Sequence, residues 1–324
     1  PVCRCCCMVC ISSTLLPVGG HTFTADPAGW LASAMRIGVV FPQTELGGDP
    51  GAVRTYGQRV EELGFTHLLA YDHVVGADPD VHQGWSGPYD VDTTFHEPLV
   101  MFGYLSAVTT TLELVTGVII LPQRQTALVA KQAAEVDLLS GGRLRFGVGL
   151  GWNAVEYEAL NEDFTNRGKR SEEQIELLRL LWTQRSVTVD GRHHRVTGAG
   201  IAPLPVQRPI PLWIGAAAPR GYARAGRLAD GWFPMMQPGP ELDEAKAVVD
   251  SAARDAGRDP SRIGMEGRVR WQRDRDGVAA AIEGWAARGA THVSVDTVRA
   301  GLTTVDDHLA VLESVAVGVG LRAR

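Results

Sequence analysis

The sequence predicts an α/β fold closed into a (β/α)8 TIM barrel with an inserted β-hairpin, on three observations. From Met35 onward, a short apolar strand followed by an amphipathic helix recurs eight times along the 324-residue chain. An open, doubly wound sheet would carry a dinucleotide glycine fingerprint after its first strand, where this chain has Pro42-Gln43. The third observation is the stretch Gly142 to Leu160, an apolar strand that runs into a glycine-rich turn and then a helix. Gly147, Gly149 and Gly151 fall at every second position there and leave one face of the strand end without side chains. A flat or phosphorylated ligand could approach such a backbone closely, although glycines also mark simple bends.

The elements follow in order. Arg36 to Phe41 is the first strand, and Asp49-Pro50 caps a helix carrying Val53, Tyr56, Val60 and Leu63. His67 to Tyr71 is the second strand, ending in Asp72-His73. The loop from Val74 to Thr94 is longer than ordinary connections, as functional lids are. A helix over Phe95 to Thr109, a strand over Leu112 to Ile119 and a helix over Thr126 to Ser140 come next, the last stopped by Gly141-Gly142. After the Gly142 stretch, helices are predicted over Ala154 to Leu160 and Ser171 to Trp182.

Period-two patterning around Asp190-Gly191 marks the inserted hairpin, Ser186 to Val196. Strands at Leu212 to Gly215, Gly231 to Pro234, Ile263 to Arg270 and Thr291 to Val295 alternate with helices at Pro219 to Leu228, Glu241 to Ala256, around Val278 to Trp285, and at Val305 to Val315. Residues 35–324 read as a single barrel domain.

Composition narrows the function. Hydrophobic residues are 45% and charged residues 21%, and the net charge of −6 is mild, so neither a nucleic-acid nor an anionic-membrane partner is expected. No apolar run could span a bilayer. All five cysteines lie between Cys3 and Cys10, so the body needs no oxidising compartment and a cytoplasmic location is expected. Residues 1–34 lack any helical or strand period and read as an appended, disordered leader.

In a barrel the ligand sits over the strand C-termini. Those ends are Phe41-Pro42, Asp72-His73, Thr116-Gly117-Val118, Gly149 to Trp152, Gly215-Ala216, Trp232-Phe233, Arg270 and Asp296. They offer no Ser/His/Asp set, no Schiff-base lysine and no metal-ligand cluster, which suits a cofactor that brings its own chemistry. Small residues Gly215, Ala216 and Ala217 lead into a helix starting at Pro219, with Arg220 in its first turn; such an N-terminus is suited to phosphate. His73, at a strand end ahead of the long loop, is the candidate for proton transfer. Glu97 is read as complementing a helix dipole rather than as a catalyst.

Several motifs, in order, resemble the bacterial luciferase-like monooxygenase superfamily: Met35-Arg-Ile-Gly-Val39, Tyr71-Asp-His73, Leu139-Ser-Gly-Gly-Arg143, Gly147 to Trp152 and Leu228-Ala-Asp-Gly-Trp232. The chain is most similar to the branch that uses the deazaflavin coenzyme F420. The resemblance implies a bulge with a non-proline cis peptide at Gly117-Val118 behind the ring, and so a place for Thr116 there. It also implies that Asp72 and His73 lie near the reactive ring edge. Gly149, Gly151, Trp152, Glu156 and Tyr157 would lie beside the cofactor, and Gly215, Ala216 and Ala217 would form the phosphate turn. One departure stands out. The sugar-phosphate dehydrogenase branch has an acidic residue where this chain has Trp152, which speaks against a phosphosugar substrate.

The expected function is an oxidoreductase that passes a hydride between F420 and a small organic substrate, with His73 moving a proton and Trp152 walling the pocket. An FMN-dependent monooxygenase is the alternative within the class. A barrel lyase or hydrolase lacks an acid–base pair, and a cofactor-binding protein without turnover is a third class. The expected partner is a small molecule, and a homodimer is compatible with this reading.

Overall fold

A computed structural model describes residues 35–323; the leader reading for residues 1–34 lies outside these described residues. Strands β1 (Arg36–Val40), β2 (His67–Ala70), β3 (Glu113–Thr116), β4 (Ile119–Ile120), β5 (Leu144–Gly149), β8 (Leu212–Ala216), β9 (Gly231–Pro234), β10 (Gly264–Arg270) and β11 (His292–Asp296) form one parallel sheet. Its order is β3-β2-β1-β11-β10-β9-β8-β5-β4, and β3 pairs again with β5 through Leu114↔Leu144, so the sheet closes. β3 and β4 are two halves of one stave. The strand expected over Leu112 to Ile119 is interrupted between Thr116 and Ile119, where the Gly117-Val118 peptide is cis.

Helices α1 (Gln43–Leu46), α2 (Pro50–Glu62), α3 (Pro98–Val108), α4 (Thr126–Ser140), α5 (Ala154–Ala159), α6 (Arg167–Thr183), α7 (Pro219–Leu228), α8 (Pro240–Asp255), α9 (Arg275–Ala286) and α10 (Val305–Gly318) fill the crossovers. Their starts follow local chemistry. Asp49 accepts from Gly51 N ahead of Pro50, and Thr304 and Asp307 form a reciprocal capping box. Glu97 caps α3 by accepting from Val100 N at 2.7 Å. Strands β6 (Val187–Asp190) and β7 (Arg195–Ala199) make the separate inserted hairpin. Its loop holds four residues, closed by Gly191 N donating to His194 O at 2.9 Å, rather than the two-residue turn that Asp190-Gly191 favours. The Glu173 carboxylate accepts from Arg192 N and His193 N and so holds the longer loop open.

Two apolar layers result. The larger lies between strands and helices and includes Leu68, Leu114, Phe146, Trp182, Trp232 and Trp285. The smaller lies inside the barrel: Val40, Leu69, Val115, Trp213 and Phe233. Below it the interior is ionic. Fully buried Arg145 pairs with Glu113 at 3.1 Å and with Glu266, and its guanidinium lies 4.4 Å from the Trp213 ring centroid. Glu266 also receives His67 Nε2 at 3.0 Å and Ser294 Oγ at 2.6 Å. Burial alone would raise the Glu266 pKa, but Arg145 and His67 outweigh it and hold the carboxyl well below its usual range.

His292 sits beside this network against Trp213, and burial, reinforced by Arg145, pushes its pKa well below 6.5. A histidine held neutral in this way stabilises the fold above its ordinary pKa. That stability is lost as pH falls below about 6.5, where the unfolded chain takes up the proton first. His308, also depressed by burial, contributes in the same direction. We expect the melting temperature to fall between pH 7 and pH 5, and His292→Phe to reduce the slope of stability against pH by up to about 1.4 kcal/mol per pH unit. Thermal scans across that range check this, and an unchanged slope would show that His292 is not held neutral.

Candidate active site at the barrel mouth

The strand C-termini surround an apolar floor of Val40, Leu69, Val115 and Phe233, onto which Tyr71, Val118 and Val298 pack. The split stave shapes one side of it. A Cβ at Gly149 would lie 2.5 Å from Val118 Cγ2, one at Gly215 would lie 3.1 Å from Val118 Cγ1, and one at Gly151 would lie 2.7 Å from Ile120. These glycines therefore seat the bulge, and the view that they simply bare backbone to a ligand is revised. Gly147 likewise has no room for a side chain, because the Thr116 carbonyl and the Phe233 ring fill that space. Thr116 is buried, and its hydroxyl donates to Gly147 O at 2.7 Å and accepts from Gly147 N at 2.8 Å. It ties β3 to β5 beneath the bulge.

Asp72 faces the same bulge. It is 3% exposed, accepts from Ile120 N at 3.0 Å and pairs with Arg124 at 2.7 Å. Burial raises its pKa against the pull of Arg124. Arg124 also bonds Glu97 at 3.1 Å, so one guanidinium links β2, the bulge and the start of α3. This geometry makes Asp72 a support for the bulge.

His73 points elsewhere. Its ring lies 4.8 Å from both Tyr89 and Phe95 and 5.7 Å from Trp152, centroid to centroid. Nδ1 lies 3.3 Å from Glu156 Oε1, the oxygen that also accepts from Val74 N at 2.7 Å. Burial alone would raise the Glu156 pKa, but the His73 ring and the Val74 N–H outweigh it and lower it, so an anion faces Nδ1. Nδ1–H then donates to Glu156, which leaves Nε2 as the ring nitrogen without a partner in this contact. Tyr157 is buried and donates to Leu150 O at 2.6 Å, bracing the turn from below.

Residues 74–94 cover the mouth. Trp85 packs against Trp152 in a tilted arrangement at 5.7 Å between centroids and donates Nε1–H to Tyr89 O at 3.1 Å. Trp152 and residues His82 to Pro88 border an open cavity of about 450 Å³. At the far side Arg299 donates to Pro88 O and lies 5.0 Å from the Tyr89 ring centroid. The loop is thus held at its start by Glu156 and near Pro88 and Tyr89 by Arg299.

Beside Gly149 and Gly215, a cleft of about 10 Å³ is bordered by Ser171 and Arg224. Ala217 to Arg220 are exposed, and α7 opens at Pro219 with no side-chain cap. The Gly215-Ala216-Ala217 turn therefore presents a helix N-terminus at the mouth, as its sequence predicts. Arg224, held by Glu172 at 3.0 Å, is a cation there that the sequence did not single out. Among the described residues, no group of three or more His, Cys, Asp or Glu could hold a metal ion, and no helix is long and apolar enough to cross a membrane.

The closed barrel, the cis Gly117-Val118 bulge and the His73 mouth together define a distinct class of (β/α)8 barrel. The chain belongs to the luciferase-like monooxygenase family, whose profile matches residues 35–310. It is 38% identical over 164 residues to an uncharacterized protein of Mycobacterium tuberculosis, a match spanning 51% of this chain and 56% of that relative's length. It is 28% identical over 270 residues to the F420-dependent glucose-6-phosphate dehydrogenase of Microbacterium testaceum, covering 79% and 74% of the two chains. Its fold matches an F420-dependent secondary alcohol dehydrogenase solved with an F420-acetone adduct, with a TM-score of 0.74 at 17% identity, covering 89% of this chain and 99% of that one.

Glu156 is the residue on which the lid's first turn depends. Glu156→Ala leaves Val74 N and Val75 N without their acceptor, at a cost of about 1–3 kcal/mol, concentrated locally. Amide exchange at Val74 and Val75 should quicken while exchange in β5 stays slow. Uniform acceleration throughout the barrel would mean that Glu156 supports the whole fold instead.

Proposed function

We propose that this protein is an F420-dependent oxidoreductase acting on a small organic molecule, with His73 as the proton-transfer group. The observation that carries the reading is the mouth itself: an apolar floor backed by the Val118 bulge, with one half-buried histidine packed among aromatic rings at its rim. The chemistry of the surroundings fits a deazaflavin. A flat apolar ring gains from contact with Val40, Leu69, Val115 and Phe233, and a phosphate gains from the N-terminus of α7 and Arg224. The names of the similar dehydrogenases support the same cofactor.

When bound, reduced F420 supplies a hydride equivalent, which leaves a proton to be placed by the protein. His73 is suited to this: Glu156 fixes Nδ1–H, and Nε2 is left to take or give the proton. Tyr89, Phe95 and Trp152 pack around the ring and exclude water from it. Asp72 and Thr116 act one layer back, by fixing the bulge. Trp152, in place of an acidic residue, contributes a wall and no proton.

Titration by fluorescence quenching should show F420 binding more tightly than FMN. Tight FMN binding with no competition from F420 would instead favour the oxygen-activating monooxygenase. His73→Ala should lower turnover about 100- to 10,000-fold with much smaller loss of F420 affinity, measured on a panel of enones and alcohols. His73→Asn keeps a donor but no proton shuttle near neutrality, so a large recovery of rate would assign His73 to orientation only. Wild-type turnover in His73→Ala, with F420 binding abolished, would make it a cofactor anchor.

A further inference from the structure

The two sides of the mouth differ in chemistry. The β2–β5 side, with His73, Phe95 and Trp152, is aromatic. The β10–β11 side is cationic. Arg268 and Arg270 stand two residues apart on β10, so both follow Glu266 on the inward face of that strand. Arg268 is anchored: Nη1 donates to Tyr71 OH at 2.9 Å, and Nε lies 3.7 Å from Asp296 Oδ2. Asp296 is already engaged, accepting from Tyr71 OH at 3.1 Å and from Val298 N at 2.9 Å.

Arg270 has little left to bind. Its Nε reaches no closer than 4.0 Å to Asp296, its guanidinium makes no hydrogen bond among the described residues, and its side chain is 68% exposed. Arg299 adds a third guanidinium, spent on Pro88 O and the Tyr89 ring. The carboxylate of Glu45 is taken by Arg299 N at 2.7 Å. The Tyr89 phenol, on the lid, lies in the field of Arg299, Arg268 and Arg270 together. Cations from β10 and from the loop after β11 thus gather beside the lid tyrosine, with two carboxylates, Asp296 and Glu45, that are both already bonded.

We infer that this rim is an anion subsite, in which Arg270, with Arg268 behind it, receives a carboxylate or phosphate carried by the substrate. The inference rests on the oxidoreductase reading and gives its substrate a class: an organic anion whose reacting carbon lies toward His73 and whose charged end lies toward β10. Arg270 can form charge-assisted bonds to either oxyanion because its guanidinium is uncommitted. A neutral alcohol or enone of the same size would leave it in water and gain nothing from it.

The cofactor's own phosphate and carboxylate tail is the other source of the same chemistry, and the test separates the two. The full-length protein, labelled with ¹⁵N in its arginines, is titrated with benzoate and with inorganic phosphate, with and without F420. The Arg270 Nε–H resonance, identified by its loss in Arg270→Gln, should shift saturably in the presence of F420. Arg270→Gln should weaken benzoate or phosphate binding about tenfold and leave F420 affinity within about twofold. Absence of a saturable shift, or binding undiminished in Arg270→Gln, overturns the subsite. A tenfold loss of F420 affinity in Arg270→Gln, with benzoate competing against F420, also overturns it by giving the rim to the cofactor tail. If wild-type protein fails to bind F420 while benzoate still depends on Arg270, the deazaflavin reading falls and the anion subsite stands.

Discussion

The structure depends on one buried guanidinium. Arg145 lies inside the barrel with no exposure, and an ion in that position is tolerable only if its partners are fixed around it. Glu113 and Glu266 supply the charge and Trp213 supplies the ring face. Because these partners come from β3, β10 and β8, the pairing also sets how those strands stand relative to β5. The ionic layer fills the lower half of the barrel, and the apolar floor of Val40, Leu69, Val115 and Phe233 lies above it, toward the strand C-termini.

The second constraint is the split stave. Once the chain is displaced at Gly117-Val118, Val118 and Ile120 need room, and Gly149, Gly151 and Gly215 provide it. The displaced amide of Ile120 needs an acceptor, and Asp72 provides that. Asp72, now buried, needs a cation, and Arg124 reaches it while also bonding Glu97. Residues far apart in sequence are thus tied together by satisfying one amide after another. This chain of requirements explains why the strand-end motif pairs Asp72 with His73 although the two side chains serve different ends.

The strand–helix alternation was legible because each stave and each helix carries its own period and its own stop signals. Residues 126–140, 219–228 and 231–234 have the bounds that their caps and glycines predict. The family motifs also pointed to His73, and the structure places it at the mouth. What could not be read was pairing across the barrel. Arg145, Glu266 and His67 look like ordinary polar residues in alternating strands, and only closure brings them together. Arg124 and Arg299 lie in loops with no local pattern at all. The glycines were read as open backbone because a sequence does not show that Val118 fills the space beside them. The hairpin loop lengthened for a similar reason, since Glu173 on α6 supplies acceptors that no local turn rule contains.

The covering loop is pinned by unlike fasteners. At one end the nearly inaccessible Glu156 carboxylate holds Val74 N, and breaking that contact strands a charge among aromatic rings. At the other end an exposed arginine holds a carbonyl and a ring, and water can replace it at little cost. The Arg299 contacts are thus the ones for which solvent competes first. Tyr89, which rests on both the His73 ring and Arg299, couples the exposed fastener to the buried one.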